Sequence, residues 1–509
     1  MTQDAPRRFK PIMVVGAGSH VGKSVLVMGL CRLLRRLGID VAPFKAQNMA
    51  LNSGITPEGD EIGRAQISQA EAAGVAPHAD MNPILLKPTS DMGSQVVLNG
   101  RVFGNYKGRD YYALKPRLVK EVMAAWRRLC ARHELIVLEG AGSCAELNLK
   151  RHDLVNMAMA RRAGANVLLA ADIDAGGVFA QAIGSIALLT PGERRLIKGI
   201  AINKFRGDPA LFSDGMAIIA RKTGKPVLGL IPWFGQDISL PQEDGVALER
   251  GAAGAGAGAG PVRVGVVRIS RISNFTDADA LAAEPGVRLS WVTGPEELAG
   301  LDLLILPGTK NTLAALAGLH QAGLFAAIRH FHALGGRVLG LCGGYQLLGK
   351  SIADPLGVEG PPDQQEGLGL LPIATVMAGE KTTARAEALC LADLPFAVAG
   401  PVRGYEIHMG QSTALGQDRP ALRLTRRLNQ ALNQPEGQVS PDGRVVGTYL
   451  HGLLDNDALR AALLAWAGGG RRVEGLADYA AFKESQYDRL ADLLEEHLDW
   501  RPLLEEIQG

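Results

Sequence analysis

The stretch that decides the fold of the first half is "PIMVVGAGSHVGKSVLVMGLCRLLRRLG", residues 11–38. It runs from an apolar strand pattern through a glycine-rich loop into an amphipathic helix pattern. Further apolar runs, among them "LIVLEG", "NVLLAADID" and "KGIAINK", alternate with helical segments up to "VLGLIP". Continuous apolar runs separated by amphipathic helices are typical of a parallel sheet covered on both faces. The first half is therefore predicted to be an α/β domain with a doubly wound parallel sheet of the P-loop type.

A second sheet is predicted after a break in composition. The stretch "RGAAGAGAGAGP", residues 250–261, buries almost nothing and is interpreted as a linker. The strand rhythm then restarts with "VRVGVVRI", "DLLILPG", "RVLGLCGG" and "RVVGTYLHG". We therefore expect two domains, 1–249 and 262–509, the second an α/β domain that ends in a helical segment without chemistry of its own.

The bulk composition excludes several classes of protein. With 509 residues and a net charge of +2, the chain is long enough for two or three domains and has no basic excess that would favour nucleic acid or a membrane surface. Its five cysteines are widely spaced and form no CxxC pair, which argues against a disulfide framework or a zinc site. No signal peptide or membrane-spanning run of about 18 apolar residues is visible. A cytoplasmic enzyme is expected, and its oligomeric state stays open.

The glycine-rich loop "GAGSHVGKS" is predicted to bind the phosphates of ATP. Five residues separate Gly16 from Gly22, whereas the ordinary P-loop allows four. A strand before the loop and a helix after it still present backbone amides and a helix N-terminus to a phosphate. We expect Gly18 and Gly22 to line the phosphates and Lys23 to neutralise them. The alternative is a glycine-rich turn with a solvated lysine.

A magnesium site is predicted beside this loop. The hydroxyl of Ser24 would supply one oxygen ligand, and a carboxylate at the end of a neighbouring strand would supply another. Glu139, in "LIVLEGAGS", is the first choice for that carboxylate. Asp60, in "PEGDEIG", is a weaker candidate because loop carboxylates are more often solvated or capping.

A nucleophilic thiol is predicted in "RVLGLCGGYQLLG", residues 337–349. Cys342 would occupy a tight turn between a strand and a helix, where small neighbours let a bound carbonyl approach. The amide of Gly343 and the amides around Gly308 and Thr309 would form an oxyanion hole. The alternative for Cys342 is a small buried apolar residue.

The thiol needs a base, and His451 in "RVVGTYLHG" is the best-placed histidine. His408, in "GYEIHMG", is its competitor. For an arbitrary histidine a purely structural role is the commoner outcome, but the position of His451 at a strand end favours catalysis.

Several motifs of the first half resemble the dethiobiotin synthetase family of ATP-dependent ligases. They are the "G-x5-GKS" spacing, the strand-end Lys45 in "VAPFKAQNM", "EGAG" at 139–142 and "NK" at 203–204. These ligases phosphorylate a carboxylate or carbamate. The resemblance implies that Lys45 meets the substrate carboxylate or its acyl phosphate and that Asn203 reads the adenine edge. The loop "DIDAGGVFA", residues 172–180, departs from the pattern of that family, which suggests that the substrate site differs.

The pattern G-x-C-x-G-x-Q, which ends at Gln346, resembles the signature of class I glutamine amidotransferases. That family releases ammonia from glutamine through a cysteinyl thioester, so the resemblance places Gln346 in the glutamine site. The usual third member of its triad is a glutamate two residues after the histidine, where this chain has Leu453. Either a Cys–His dyad operates, or another carboxylate such as Glu406 orients His451; the sequence leaves both open.

The order of ligase, linker and amidotransferase resembles the cobalamin-pathway amidases. Motifs along nearly the whole chain, including "KAQNMALNS" (45–53), "NKFRGD" (203–208), "RISNFTD" (271–277) and "YLHG" (449–452), resemble the members that use a corrinoid. The resemblance implies glutamine- and ATP-dependent amidation of the b, d, e and g carboxylates of adenosylcobyrinic acid a,c-diamide. A corrinoid with several carboxylates needs cations around it. The basic and aromatic segment 100–120, with Lys107 and Arg109, is one candidate wall; a solvated basic face is the alternative.

Two other functions compete with this interpretation. A cobyrinic acid a,c-diamide synthase would use the same chemistry on different carboxylates, but "KAQNMALNS" speaks against it. A P-loop ATPase of the partitioning type with an inactive regulatory glutaminase module is the other, and Leu453 at the triad position is its best support.

Overall fold

The computed structural model describes residues 8–89, 93–235, 238–240, 260–471 and 475–507. The chain separates into two units, one formed by residues 1–50, 62–243 and 483–509 and the other by residues 51–61 and 244–482. Both units contain a parallel sheet, which confirms the predicted fold class. The linker predicted at 250–261 lies outside the described residues except for Gly260 and Pro261.

The first unit is built around a six-stranded sheet in which every pair of neighbours is parallel. Successive residues of the strand Ile12–Gly16 point to opposite faces, so that Met13 and Val15 enter one apolar core while Ile12 and Val14 enter the other. Both faces are thus buried, as the apolar runs predicted. In spatial order the strands are Val227–Pro232, Ile197–Phe205, Asn166–Asp172, Ile12–Gly16, Leu135–Glu139 and Val41–Phe44. The helices are Lys23–Arg36, Arg64–Ala73, Gly108–Cys130, Met157–Ala163, Val178–Leu188, Pro191–Leu196 and Ser213–Thr223.

A second, four-stranded sheet belongs to the same unit. Its first pair is parallel and its other two pairs are antiparallel. The strands are, in order, Gln47–Met49, Ile84–Pro88, Gly93–Leu98 and Arg101–Lys107. The first strand of this sheet begins two residues after Lys45 in the chain.

The C-terminal helix corrects the predicted domain boundary. The helix spans Tyr479–His497, and from residue 483 onward it belongs to the first unit. Leu494 packs so closely on the helix Lys23–Arg36 that a Cβ at Gly29 would lie 2.4 Å from its Cδ1 atom. Arg32 bonds Asp488 at 2.7 Å. Apolar burial and this ion pair explain why the last segment packs with the first unit.

The second unit contains the other predicted sheet and a mostly antiparallel sheet with one parallel pair. The first has five parallel strands and one antiparallel edge strand, in the order Val287–Val292, Val262–Val267, Leu303–Leu306, Arg337–Leu341, Val445–Thr448 and Gln438–Val439. The seven strands of the other sheet are Ser351–Asp354, Asp363–Glu366, Ile373–Cys390, Pro401–Ala414, Leu422–Arg427, Gln430–Glu436 and Leu450–His451. The helices are Asp279–Ala282, Thr312–Gln321, Leu324–Ala333, Gly343–Leu347 and Asp457–Ala467.

The segment Leu51–Glu61 also departs from the predicted boundaries, because it belongs to the second unit. It contributes the strand Ser53–Ile55, which pairs with the strand Glu61–Gly63. The Oε2 atom of Glu61 lies 2.5 Å from the Nζ atom of Lys381, and both side chains are largely buried. Separating the two partners would leave a buried charge unpaired, which costs free energy.

None of the helices within the described ranges is both long and apolar enough to cross a bilayer.

Candidate functional site

The predicted phosphate loop lies between the strand Ile12–Gly16 and the helix that begins at Lys23. Gly22 has a φ of 93°, and a Cβ there would lie 2.2 Å from the Nδ2 atom of Asn203, so that only glycine fits. The Nζ atom of Lys23 donates to the carbonyls of Gly18 at 3.3 Å and Gly142 at 3.1 Å. Lys23 is 8% exposed, which does not fit the solvated lysine of the alternative interpretation.

Glu139 accepts hydrogen bonds from several polar side chains of this site. Its Oε1 atom accepts hydrogen bonds from the hydroxyl of Ser24 at 2.8 Å and the ammonium of Lys45 at 2.7 Å. Its Oε2 atom accepts from the side-chain amide of Gln69 at 2.7 Å and lies 3.4 Å from that of Gln66. Glu139 is 1% exposed, so this buried charge needs its partners. The two glutamines were missed from the sequence, although both stand on one face of an alanine-rich helix.

The residues of this cluster suit magnesium in a nucleotide complex. A hydroxyl and a carboxylate oxygen 2.8 Å apart are hard ligands, and Mg²⁺ usually takes only one or two protein oxygens beside phosphate and water. No three His, Cys, Asp or Glu side chains within the described ranges converge on a metal-sized site. Asp60, the weaker candidate, lies in the segment that belongs to the second unit and stays a prediction.

Asn203 lies near the carboxyl end of the strand Ile197–Phe205, beside the loop. Its Nδ2 atom donates to the carbonyl of Val21 at 2.9 Å, while its Oδ1 atom is buried and has no hydrogen-bond partner within the described residues. A buried acceptor without a partner is costly and points to a donor that a ligand would supply. The amino group of adenine is such a donor, and the adenine contact of Asn203 stays a prediction.

In the second unit, Cys342 lies on the predicted turn between the strand Arg337–Leu341 and the helix Gly343–Leu347. Its φ of 52° and ψ of −106° are strained for a residue with a side chain, as at other nucleophile turns. A Cβ at Gly344 would lie 1.9 Å from the carbonyl oxygen of Leu306. The flanking glycines are therefore what permits the turn.

His451 interacts electrostatically with Cys342, as expected of the base. The thiol of Cys342 donates to the carbonyl of Ile407 at 3.5 Å. Its Nδ1 atom lies 2.6 Å from the Oδ2 atom of Asp277, whose Oδ1 atom accepts from the amide of Gly452 at 2.8 Å. Burial lowers the pKa of His451, but the negative charge of Asp277 and the interaction with Cys342 outweigh burial and raise the pKa to about 10. Cys342, His451 and Asp277 therefore form the geometry of a catalytic triad.

Of the two alternatives that the sequence leaves open, the structure shows the second, in which a carboxylate contacts His451. That carboxylate is Asp277, whereas Glu406 is bound to Arg427 at 2.7 Å and 3.0 Å. Burial raises the pKa of Glu406, but hydrogen bonds from His408 and Arg427 outweigh it and lower the pKa. The signal was the final residue of "RISNFTD", which sequence spacing could not connect to a histidine 174 positions later.

His408, the competing base, is engaged elsewhere. Its Nδ1 atom donates to the carbonyl of Gly410 at 2.8 Å, and its ring stacks on Tyr449 with centroids 3.9 Å apart. The Nε2 atom lies 3.5 Å from Glu406. The contacts of His408 are therefore with Gly410 of its own strand and with Tyr449, and His451 is the better candidate for the base.

The predicted oxyanion residues lie beside this triad. A Cβ built on Gly343 would be 2.9 Å from the amide nitrogen of Thr309, and one built on Gly308 would be 3.1 Å from the Cε1 atom of His451. Thr309 is fixed by its hydroxyl, which donates to the carbonyl of Ser270 at 3.0 Å. Two loops thus bring the predicted amide donors next to the thiol.

Gln346 is part of a buried polar chain. Its Oε1 atom accepts from the Thr312 hydroxyl at 2.7 Å, and its Nε2 atom lies 3.4 Å from the hydroxyl of Tyr449. Tyr449 is in turn 2.7 Å from the hydroxyl of Ser412. The predicted contact of Gln346 with glutamine stays a prediction.

The candidate corrinoid wall, residues 100–120, mixes exposed and half-buried side chains, and Gly100 and Leu118 are buried. The rings of Phe103 and Tyr106 stack with centroids 5.8 Å apart, and the guanidinium of Arg117 lies 4.9 Å from the Phe103 ring. Lys107 is exposed, and the side chain of Arg109 lies outside the described residues. Aromatic faces with adjacent cations suit a flat anionic ligand.

Comparisons with known proteins agree with this division of chemistry. Residues 12–245 match the CobQ/CobB/MinD/ParA nucleotide binding domain, and residues 263–459 match the CobB/CobQ-like glutamine amidotransferase domain. Cobyric acid synthase of Syntrophobacter fumaroxidans is 49% identical over 501 residues, which cover 97% of each chain. That of Paracoccus denitrificans is 49% identical over 489 residues, 96% of this chain and 98% of the relative. A solved glutamine amidotransferase structure is 22% identical, covers 40% of this chain and 98% of that chain, and has a TM-score of 0.32, too weak to carry an argument.

Proposed function

The chain belongs to the cobyric acid synthase family of glutamine-dependent amidoligases, and from this premise we propose how its residues convert carboxylates of a corrinoid into amides. The substrate is adenosylcobyrinic acid a,c-diamide, amidated at its b, d, e and g carboxylates. The observation that carries the proposal is that each unit holds one half of the chemistry. Cys342, His451 and Asp277 lie in one unit, and Lys23, Lys45 and Glu139 lie in the other.

The thiol releases ammonia from glutamine. The sulfur of Cys342 attacks the amide carbon, and His451, held by Asp277, gives a proton to the departing nitrogen. The amides of Thr309 and Gly343 stabilise the negative charge that develops on the carbonyl oxygen. A water molecule then cleaves the thioester, which leaves glutamate and the free thiol.

The other unit primes the corrinoid carboxylate. A carboxylate oxygen attacks the γ-phosphorus of ATP, ADP leaves, and an acyl phosphate forms. Ammonia attacks the acyl carbon, phosphate departs with the former carboxylate oxygen, and an amide remains. Lys23 stabilises the transferred phosphoryl group, and Lys45 holds the carboxylate and the acyl phosphate.

Magnesium would be held by Ser24 and Glu139 and would neutralise charge on the ATP phosphates. Binding would require Glu139 to exchange the hydrogen bond from Ser24 while keeping those from Lys45 and Gln69. Asn203 would select adenine by accepting a hydrogen bond at its buried Oδ1 atom.

The cations beside the four-stranded sheet would bind the corrinoid periphery. Lys107 is exposed at the end of one strand, and Phe103 offers an aromatic face. Charge reversal at Lys107 and Arg109 should weaken corrinoid binding while ATP binding stays the same. Unchanged corrinoid affinity would place the wall elsewhere.

The triad also bears on the two competing functions. The main argument for an inactive regulatory module is Leu453 at the usual position of the triad carboxylate. The contact of Asp277 with His451 argues against such a module, because Asp277 can serve as that carboxylate. A cobyrinic acid a,c-diamide synthase would give a different product pattern, which a substrate test separates. Purified protein with ATP, glutamine and the a,c-diamide should form four successive amides, each coupled to one ATP. Absence of turnover on the a,c-diamide, with turnover on cobyrinic acid, would favour the diamide synthase.

The division of labour is tested with Cys342→Ser. This variant should lose glutamine-supported amidation and keep amidation with free ammonia, because only the nitrogen source is removed. Lys23→Ala should do the reverse, losing synthesis and keeping glutamine hydrolysis. Equal loss with both nitrogen donors in Cys342→Ser would contradict the assignment.

A further inference from the structure

A segment of the sequence's first half is built into the glutaminase unit. Leu51–Glu61 follows "KAQNMA" in the chain, yet it belongs structurally to the unit that holds Cys342. We call Leu51–Glu61 the inserted segment. Its strand, Ser53–Ile55, is buried throughout. The segment is therefore a fixed structural part of the glutaminase unit.

The inserted segment is joined to the triad loop by a reciprocal pair of hydrogen bonds. The amide of Phe275 donates to the Oδ1 atom of Asn52 at 3.3 Å, and the amide of Ser53 donates to the Oδ1 atom of Asn274 at 3.1 Å. Asn52 and Asn274 are each 2% exposed. Buried amide groups of this kind are costly to leave unpaired, so the two hydrogen bonds fix residues 52–53 against residues 274–275.

We call the two hydrogen bonds accepted by Asn52 and Asn274 the clamp. The loop that contains Asn274 also carries the triad carboxylate, Asp277. Asn274 has a φ of 54°, in the left-handed region that asparagine tolerates better than most residues. Its carbonyl accepts from the amide of Asp277 at 3.1 Å, which begins the turn that aims the carboxylate. One residue earlier, the amide of Ser273 donates to the carbonyl of Gly308, a predicted oxyanion residue. The clamp thus lies one turn from two parts of the thiol site.

The inserted segment is anchored independently of the clamp. Glu61 accepts from the Ser53 hydroxyl at 2.8 Å and from Lys381 at 2.5 Å, with Glu61 1% exposed. The Nε atom of Arg385 donates to the carbonyl of Ile55 at 3.0 Å. These contacts tie the segment to the long strand Ile373–Cys390. The segment therefore provides a rigid support for the Asp277 loop.

We propose that Asn52 is a positioning residue for glutamine hydrolysis, which acts through the backbone of Phe275 and Asn274 on Asp277 and hence on His451. The proposal rests on the triad assignment of the proposed function. Asn52 reaches the triad loop through its contact with the amide of Phe275. A residue of the ligase-half sequence is thereby required by the glutaminase.

The test uses Asn52→Ala in the full-length enzyme, with Glu58→Ala as the matched control. Glu58 is exposed on the turn of the same inserted segment. In Asn52→Ala, kcat for glutamine hydrolysis should fall about ten- to a hundred-fold, because a displacement near 1 Å has effects of this size. Ammonia-supported amidation should stay within about twofold of the wild-type rate. Glu58→Ala should match the wild type in both assays.

A second readout separates positioning from a general loss of structure. The rate of Cys342 alkylation by iodoacetamide, followed on the isolated peptide across pH, should have a displaced midpoint in Asn52→Ala because the imidazolium is less well held. Should Asn52→Ala be insoluble, Asn274→Gly decides by the same criteria, since glycine keeps the left-handed backbone and removes only the acceptor. Unchanged hydrolysis and alkylation, or loss of ammonia-supported amidation alone, would overturn the inference. Loss of both activities in Cys342→Ser would instead contradict the proposed function itself.

Discussion

The Oδ2 atom of Asp277 lies 2.6 Å from the Nδ1 atom of His451, although 174 residues separate them in the chain. The two residues come from the loop after one strand of the parallel sheet and from the short strand Leu450–His451. This contact holds the imidazole, which also interacts with Cys342. It assigns the triad carboxylate to a position with no counterpart in the usual spacing of class I amidotransferases.

Replacing Asp277 with asparagine should abolish most glutamine hydrolysis. The loss of the charge removes the orientation and stabilisation of the imidazolium, and a fall of roughly a hundred- to ten-thousand-fold in kcat is expected. Ammonia-supported amidation should be nearly unchanged. Glu406→Gln is the matched control, because that buried carboxylate bonds Arg427. Comparable losses in both variants would show that the assay reports damage to the unit rather than the role of Asp277.

The stability of the glutaminase unit should depend on pH through His451. Its pKa is raised from an unfolded value near 6.5 to about 10, because Asp277 and Cys342 outweigh the effect of burial. A raised folded-state pKa stabilises the folded protein fully below the unfolded-state pKa, and this stabilisation is lost as pH rises toward the folded-state pKa.

The difference in melting temperature between wild type and Asp277→Asn should therefore be largest near pH 6 and should shrink toward pH 10. Differential scanning calorimetry at several pH values measures it. A difference that stays constant over this range would mean that Asp277 does not raise the pKa of His451.

Gly344→Ala should disable the nucleophile turn. The new methyl group would lie 1.9 Å from the Leu306 carbonyl oxygen, so the backbone must move, at a cost of roughly 1–3 kcal/mol or more. Glutamine-supported activity should fall more than overall stability, because Cys342 is displaced directly. Gly318→Ala, in the helix Thr312–Gln321 with nothing within 4 Å of the added Cβ, is the control and should be neutral or stabilising. Activity and denaturant unfolding of both variants check this.

Lys45→Met should remove amidation with either nitrogen donor and leave glutamine hydrolysis intact. The substitution leaves the buried Glu139 without its cationic partner, so partial destabilisation of the first unit is also expected. Lys222→Met, at an exposed helix position, serves as the control. Steady-state assays with ammonia and with glutamine separate the two activities. Normal ammonia-supported amidation by Lys45→Met would exclude Lys45 from the carboxylate site.

Much of both sites could be predicted because it depends on local sequence. Glycine spacing around Lys23 and Cys342 reports backbone geometry that few other residues adopt, and strand-end positions placed Glu139 and Asn203 at the correct edge. The fold class followed from apolar periodicity for the same reason. These signals are contained within about ten residues of chain.

What could not be predicted depends on long-range packing. Asp277 contacts His451 174 residues later in the chain, and from residue 483 the helix Tyr479–His497 belongs to the first unit, where its leucines pack against Gly29. Neither relation leaves a periodicity or spacing in the sequence. The inserted segment was likewise assigned to the ligase half, since its partners Asn274 and Lys381 lie more than two hundred residues later.

The central claim is that ammonia from the thiol site meets a carboxylate that ATP has converted into an acyl phosphate. It is tested most directly with the a,c-diamide labelled with ¹⁸O in its carboxylates, turned over with ATP and glutamine, and followed by mass spectrometry of the phosphate released. Transfer of one ¹⁸O atom into inorganic phosphate for each amide formed is the predicted result. Phosphate without the label, while amides accumulate, would contradict it.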